Sequence, residues 1–230
     1  MLYERGNAAK QWILEELDQR FSGRSVRLLD LGCGNGSKWH VFLPAHPQMS
    51  VVGVDTDEVE IEHGLAVAPP HLVLRVSDAQ HPITGPFDAV TAFSAIEHVV
   101  DRPAFLKTVW TALGSGGVAY LNYDDGHFRS TNLKERLMVP VSQLLALVGL
   151  EGAYMKHVDD ALFRKQAEVQ GFRVIGMRKH NLGSVKGFMR GASDDAVSAW
   201  YAFEERLGEL YKPEALDNVM WSTTLIVEKP

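Results

Sequence analysis

Residues 28–36 read Leu-Leu-Asp-Leu-Gly-Cys-Gly-Asn-Gly, an apolar run that leads directly into alternating glycines. The run is typical of a buried strand, and Gly32, Gly34 and Gly36 predict a tight turn before a helix. Such a turn lets a ligand approach the backbone, and the start of the helix offers free N–H groups. Two phosphate-binding patterns fail, because Ser37 replaces the last glycine or alanine of the dinucleotide fingerprint and no Gly-Lys-Ser/Thr follows.

Short apolar runs and amphipathic helical stretches alternate along the rest of the chain. The runs are apolar on both faces and rich in β-branched residues, as buried parallel strands are. They span residues 26–31, 51–55, 72–76, 89–93, 118–122, 172–177 and 223–227. The predicted helices span residues 8–20, 39–43, 57–66, 102–113 and 158–170, the last ending at Gly171. This alternation predicts an α/β fold around a mainly parallel sheet.

Composition narrows the class of protein. The 230 residues include 23 basic and 29 acidic side chains, for a net charge of −6. This charge argues against a nucleic-acid-binding protein, because binding a phosphate backbone requires a basic face. The single cysteine, Cys33, excludes an intrachain disulfide and a cysteine-based zinc site. The first residues lack the apolar core of a signal peptide, and no apolar run is long enough for a membrane span. We expect one cytoplasmic domain over residues 1–230 that does not bind nucleic acid.

Two carboxylates follow the next two predicted strands. Asp55 ends the second strand, where it can accept hydrogen bonds from both hydroxyls of a ribose. Asp78 lies just beyond the third strand, where an acceptor beside a backbone N–H can bind the amino edge of an adenine. Either carboxylate alone is equally well explained as a turn or cap residue. In series after a glycine turn, they predict an adenosine ligand with little negative charge.

These motifs together resemble the class I S-adenosylmethionine-dependent methyltransferases, and most closely their small-molecule, type 11-like group. The resemblance covers about residues 25–123 and is carried by LLDLGCGNG, VVGVDTDE, VSDAQ, FDAVTAFSAIEHV and LGSGGVAYL. It implies a Rossmann-like, doubly wound sheet of seven strands in the order 3-2-1-4-5-7-6, with the last strand antiparallel. It also implies S-adenosylmethionine as the cofactor. The irregular segments after strands 5 and 6 are interpreted as helical insertions into this sheet. One departure is Gly114–Gly117, read as a turn before the fifth strand, which lacks the proline of the related turn.

The resemblance also assigns cofactor contacts at four strand ends. They are Gly32, Cys33 and Gly34 for the methionine part, Asp55 and Thr56 for the ribose, Asp78 and Ala79 for the adenine, and Phe93 and Ser94 beside the sulfonium. Tyr3 and Arg5, ahead of the first helix, are candidates for the cofactor's carboxylate, with a disordered terminus as the alternative.

Methyl transfer from a sulfonium depends mainly on in-line approach and exclusion of water, so a dedicated base is not essential. Where the acceptor needs one, the candidates are Glu97 and His98, at the mouth of the fourth strand. The alternative is that this pair starts a helix and braces the pocket. Asp124 and Asp125 also fit a metal site, but Ser94 stands where the fourth strand would supply the partner acid, so we expect no metal.

Residues 124–157 and 179–220 interrupt the regular alternation, and we expect these insertions to form a lid that selects the acceptor. The apolar run at residues 137–150 fits a buried helix, a cover over a lipophilic or aromatic acceptor, or a homodimer interface. The leading hypothesis is an S-adenosylmethionine-dependent methyltransferase that modifies a small molecule at oxygen or nitrogen. The alternatives are a binding protein of the same fold that has lost catalysis, and a methyltransferase of protein or RNA.

Overall fold

The structure, a computed structural model, describes residues 1–129, 133–146, 154–183 and 185–230. One seven-stranded sheet has the order β3-β2-β1-β4-β5-β7-β6. Its strands are β1 (Val26–Leu31), β2 (Met49–Asp55), β3 (Leu72–Val76), β4 (Phe87–Ala92), β5 (Leu113–Asp124), β6 (Arg173–Leu182) and β7 (Met220–Glu228). Neighbouring strands are parallel, except that β7 is antiparallel to both β5 and β6. The predicted fold class and strand order are confirmed.

Helices cover both faces of the sheet. They are α1 (Ala8–Phe21), α2 (Ser37–Ala45), α3 (Glu58–Leu65), α4 (Arg102–Ala112), α5 (Leu133–Ala146), α6 (Asp160–Gln170), α7 (Val185–Phe188, kinked), α8 (Asp194–Leu210) and α9 (Pro213–Leu216). On one face, α1, α2 and α3 pack into the apolar core through Leu14, Phe42 and Ile61. On the other face of the sheet, α4 and α6 pack into a second apolar core through Phe105 and Phe163. Each face therefore has its own apolar core, as a doubly wound sheet requires.

Acidic caps decide where several helices begin. Asp57, Asp101 and Asp159 each accept a hydrogen bond from a backbone N–H in the first turn of α3, α4 and α6. The cap at Asp159 starts α6 two residues later than predicted. The same helix ends as predicted at Gly171, whose φ of 107° suits a residue without a Cβ.

Two strands near the middle of the sheet differ from their predicted bounds. β4 ends at Ala92, so Phe93 lies outside the strand. β5 begins at Leu113 and includes Gly114–Gly117, which the sequence predicts as a turn. The sequence does not indicate a strand here, because glycines have no side chains that could alternate between apolar and polar.

The sixth strand is longer than predicted. β6 extends to Leu182, which pairs with Met220 of β7. The sequence does not indicate this extension because its residues are mainly polar, whereas a buried strand is expected to be apolar. Lys179 is nevertheless buried, and its Nζ forms ion pairs with Asp160 and Asp217 at 2.5 and 2.7 Å. The second insertion therefore begins after Leu182 and not at residue 179.

The apolar run at residues 137–150 lies partly outside the described residues, since residues 147–150 are not among them. The rest belongs to α5, where Leu137, Val141 and Leu144 are exposed along one side. That exposure contradicts a fully buried helix. Across the described ranges, no helix combines the length and the hydropathy that a bilayer crossing demands.

Candidate active site

A cavity of about 670 Å³ opens at the carboxyl ends of β1, β2, β3 and β4. Its wall consists mainly of loop residues that follow these strands: Gly32, Asp55, Thr56, Asp57, Ser77, Asp78, Ala79, Gln80, Ser94, Ala95, His98, Val99 and Phe105. Ligands of open α/β sheets bind at this edge. The residues predicted to contact the cofactor that line the wall are Gly32, Asp55, Thr56, Asp78, Ala79 and Ser94.

The turn after β1 depends on glycine for its shape. Gly32, Gly34 and Gly36 have φ values of 73°, 56° and 69°, in the left-handed region that side chains disfavour. A Cβ on Gly32 would also lie only 2.8 Å from the Cβ of Ala95. The turn therefore keeps its backbone open toward the cavity.

Asp55 connects the end of β2 to this turn. Its Oδ2 accepts a 2.7 Å hydrogen bond from the N–H of Gly34, and its Oδ1 accepts one from the N–H of Asp57 at 3.0 Å. A carboxylate offers about four lone-pair sites, so these two bonds leave room for two ribose hydroxyls. The sequence predicts the position of Asp55 at the end of β2. It does not indicate that Asp55 also accepts a hydrogen bond from the N–H of Gly34.

Asp78 is held in a tight turn beyond β3. Its Oδ1 accepts the N–H of Gln80 at 2.8 Å, and the Gln80 side chain accepts the N–H of Asp101 at 2.6 Å. Gln80 thus joins the third strand end to the start of α4. It is a wall residue that sequence reasoning missed, since a glutamine in a loop gives no signal of its own.

Ser94, just beyond β4, has an unusual backbone that Asn122 stabilises. Its φ is 50°, rare for a residue with a side chain. The N–H and Oγ of Ser94 both donate to Asn122 Oδ1, at 3.1 and 3.3 Å. Asn122 is itself fixed, because its Nδ2 donates to Ser222 Oγ and the Thr223 carbonyl. A polar residue in a buried strand was the available signal for Asn122.

Two residues assigned to the cofactor turn their side chains into the core instead. Cys33 is 3% exposed and packs so closely that a Cβ on Gly53 would lie 2.8 Å from its Sγ. Burial raises the pKa of the Cys33 thiol well above its usual range, which makes the thiol unreactive. Phe93 packs edge-on against Trp39 at 6.1 Å between ring centroids. Neither side chain lines the cavity.

Glu97 and His98 occupy different environments. Glu97 is fully buried, and its Oε1 accepts the N–H of Asp124 at 3.2 Å. Burial, and secondarily the charge of Asp124, raises the pKa of Glu97 to about 8. The exposed His98 side chain lines the cavity, with Nδ1 2.9 Å from the carbonyl oxygen of Tyr154. A carbonyl only accepts hydrogen bonds, so Nδ1 carries the proton and Nε2 is the basic nitrogen of the neutral ring.

A buried polar network that the sequence analysis missed stabilises the glycine turn. Asp30, fully buried in β1, accepts hydrogen bonds from Trp39 Nε1 at 2.8 Å, Thr91 Oγ1 at 3.0 Å and Lys38 Nζ at 3.2 Å. Lys38 Nζ also donates to the carbonyl of Cys33 at 3.0 Å. The available signal was the carboxylate in an otherwise apolar strand, eight residues before a lysine.

The N-terminal candidates lie away from the cavity. The Tyr3 hydroxyl donates to Asp18 at 2.9 Å and lies 3.1 Å from His46 Nε2. Arg5 forms an ion pair with Asp194, in the second insertion. Neither side chain is placed to bind the cofactor's carboxylate.

Basic side chains lie beside the acidic pair at the end of β5. Asp124 pairs with Lys186, and Asp125 lies 3.3 Å from His157 Nε2 and 3.6 Å from Arg129 Nη2. Within the parts of the chain that the structure describes, no group of three or more histidine, cysteine or acidic side chains could hold a metal ion.

Comparisons with known proteins agree with this architecture. A family model described as a methyltransferase domain matches residues 1–225. An S-adenosylmethionine-dependent methyltransferase from Mesorhizobium loti superposes with a TM-score of 0.62 at 17% identity, covering 96% of this chain and 97% of that one.

Curated relatives match over shorter stretches. Trans-aconitate 2-methyltransferase of Deinococcus radiodurans is 29% identical over 102 residues, which are 44% of this chain and 39% of the relative. Ubiquinone biosynthesis O-methyltransferase of Xanthomonas oryzae is 30% identical over 113 residues, 47% of each chain. The matched stretch thus spans less than half the length of these relatives.

Proposed function

This chain belongs to the methyltransferase-domain family and has the fold of S-adenosylmethionine-dependent methyltransferases, and we propose that it methylates a small-molecule acceptor at oxygen or nitrogen. One observation carries the proposal. The cavity brings together Gly32, Asp55, Asp78 and Ser94, which lie at the carboxyl ends of four neighbouring strands of the sheet. Sequence motifs that are far apart thereby form one continuous wall.

The residues of the wall fit the cofactor. A volume of about 670 Å³ is in the usual range for sites that hold a nucleoside-sized ligand. As far as described residues form the wall, it contains the carboxylates of Asp55, Asp57 and Asp78 and neither lysine nor arginine. Such a wall repels phosphates and favours a ligand with a positive centre, as a sulfonium is.

Each strand end then has a role in binding. Asp55 would accept hydrogen bonds from the ribose hydroxyls, and Asp78, with the backbone at Ala79, would hold the adenine. The open backbone at Gly32 and Gly34 would approach the methionine part. When bound, S-adenosylmethionine supplies a methyl group whose bond electrons leave with the sulfur. The protein contributes alignment of the acceptor with that bond and exclusion of water.

We assign His98 as the proton acceptor for an acceptor hydroxyl or ammonium group. Its side chain lines the cavity, and the Tyr154 contact leaves Nε2 as the basic atom. Glu97, buried and bonded to the N–H of Asp124, would position the end of β5 without touching the substrate. His98→Gln should lower kcat and leave the Kd for S-adenosylhomocysteine unchanged. Loss of cofactor affinity instead would make His98 a binding residue.

The acceptor side of the site would be covered by the second insertion together with the N-terminal segment. The Tyr201 hydroxyl donates to the Glu4 carbonyl at 2.8 Å, and Ala8 packs with Val197 and Trp200. The names of the two relatives indicate small-molecule acceptors, which supports the same class here.

Two measurements test the proposal. Calorimetry with S-adenosylhomocysteine should give a Kd in the micromolar range, and the absence of binding by folded protein would refute it. Radiolabelled S-adenosylmethionine should then transfer label to the small-molecule fraction of a cell extract. Labelling confined to the protein or nucleic-acid fraction would show that the acceptor is a macromolecule and not a small molecule. Cofactor binding without labelling of any fraction would indicate a protein that has lost catalysis.

A further inference from the structure

Two lysines near the carboxyl edge of the sheet are already paired with buried carboxylates. Lys38, at the start of α2, lies 3.2 Å from Asp30 Oδ2. Lys186, in the second insertion, forms an ion pair with Asp124 at the end of β5. Asp30 and Asp124 are both buried, so each carboxylate compensates one lysine.

A third lysine, Lys10, lies close to both but is placed differently. It is the third residue of α1, one turn before Leu14 and two before Leu17, which are fully buried. Lys10 therefore stands on the core-facing side of α1, and helical side chains lean toward the N-terminus of their helix. The N–H of Ala8 donates to Asn181 Oδ1 at 2.8 Å, which fixes this end of α1 at the carboxyl end of β6.

Among the residues that the structure describes, none is a hydrogen-bond or ion-pair partner of the Lys10 ammonium group. Burial lowers the pKa of Lys10, and the charges of Lys38 and Lys186 lower it further, against the opposing effects of Glu4 and Asp30. One oxygen of the Glu4 carboxylate, Oε1, is engaged by the N–H groups of Arg5 and Gly6.

A partly buried ammonium without a counter-ion costs free energy that an incoming anion would recover. None of the three lysines lines the cavity that suits the cofactor. Lys186 belongs to the insertion after β6 and contacts the end of β5, on the opposite side of Ser94 from Asp55 and Asp78. Ala8, two residues before Lys10, fixes the start of α1 on that same side of the sheet. An acceptor approaching Ser94 from the second insertion would pass Lys186 and the start of α1, which carries Lys10.

Given the methyltransferase activity proposed above, on which this rests, we propose that Lys10, assisted by Lys186, binds a carboxylate group of the acceptor. The acceptor class is then an anionic small molecule that carries a carboxylate apart from the atom to be methylated. Ammonium and carboxylate would form a charge-assisted hydrogen bond shielded from water by the second insertion.

The first experiment tests the charge of the acceptor. The small-molecule fraction of a cell extract is separated on a strong anion exchanger near neutral pH, and the bound and unbound pools are each incubated with the protein and radiolabelled S-adenosylmethionine. Label should be transferred mainly to the bound pool. Transfer only to the unbound pool overturns the carboxylate acceptor but leaves the methyltransferase intact. Transfer to neither pool, with cofactor binding preserved, overturns the proposed function itself.

The second experiment assigns the residue. Lys10→Met should raise the amount of the bound pool needed for half-maximal rate by about tenfold, with the Kd for S-adenosylhomocysteine unchanged. Lys10→Arg should restore most of the wild-type behaviour, because it keeps the charge. The matched control is Lys107→Met, an exposed lysine on α4. A tenfold weaker Kd for S-adenosylhomocysteine with normal use of the pool would assign Lys10 to the cofactor's own carboxylate, and would overturn the proposal.

Discussion

The N–H of Gly34 donates a 2.7 Å hydrogen bond to Asp55 Oδ2, so the turn after β1 and the carboxylate after β2 form one unit. Loss of that carboxylate would remove a ligand for the cofactor and leave the Gly34 amide without its acceptor. The proposed ribose contact and the shape of the glycine turn are therefore coupled.

Asp55→Ala should weaken binding of S-adenosylhomocysteine by about a hundredfold, because two hydrogen bonds to the ribose would be lost. Calorimetry measures this loss. The control is Asp88→Ala, since Asp88 also accepts a backbone hydrogen bond, from Arg27 at 2.8 Å, but near the amino ends of the strands. Equal losses in both variants would show a general structural effect and not a cofactor contact.

Gly32→Ala should destabilise the fold more than Gly116→Ala, although the two φ values are nearly equal at 73° and 75°. The positive φ should cost about 1 kcal/mol at either site, and the clash with Ala95 should add about 1–3 kcal/mol at Gly32 only. Urea denaturation measures both free energies of unfolding. The double variant Gly32→Ala/Ala95→Gly should regain the stability lost to the clash, because the Cβ of Ala95 is removed. It should not regain the stability lost to the positive φ. Equal costs for the two single variants would show that the turn can relax.

Lys38→Met should lower the free energy of unfolding by about 3 kcal/mol, because it leaves the buried carboxylate of Asp30 without its cation. The same variant removes a hydrogen bond from the Cys33 carbonyl and should weaken cofactor binding through the glycine turn. Adding Asp30→Asn should recover part of the stability. A double variant less stable than either single variant would contradict this account.

The raised pKa of Glu97 predicts that stability declines with pH. The folded carboxyl keeps its proton up to a pKa of about 8, whereas the unfolded one loses it near 4.5. Unfolding between these values releases a proton, so the free energy of unfolding should fall as pH rises from about 4.5 to about 8, by a few kcal/mol. Glu97→Gln should flatten this decline, and Glu62→Gln, at an exposed position on α3, should not. Parallel curves for wild type and Glu97→Gln would contradict the prediction.

The sequence predicts the fold well because strand period and glycine turns are local properties. β1 and β3 have the predicted bounds. Asp55 ends β2 and Asp78 lies beyond β3, both at the predicted edge of the sheet. The sheet brings such residues together whatever the side chains in between.

Side-chain direction was harder to predict, since it depends on where a strand stops. Phe93 was assigned to a strand and to the sulfonium, yet it lies one residue beyond β4 and packs into the core. Long-range contacts were also hidden. Nothing near Ser94 in the sequence indicates that Asn122, 28 residues later, holds its backbone.

The contact between Ala8 and Asn181 has a consequence for the order of folding. The two residues are 173 positions apart, so the start of α1 is fixed only after β6 has been synthesised. Contacts of such separation form late, because the intervening chain must be ordered first. We expect the nascent chain to assemble β1 to β5 before α1 settles. The side of the site where Lys10 stands would then be completed only after β6 has joined the sheet.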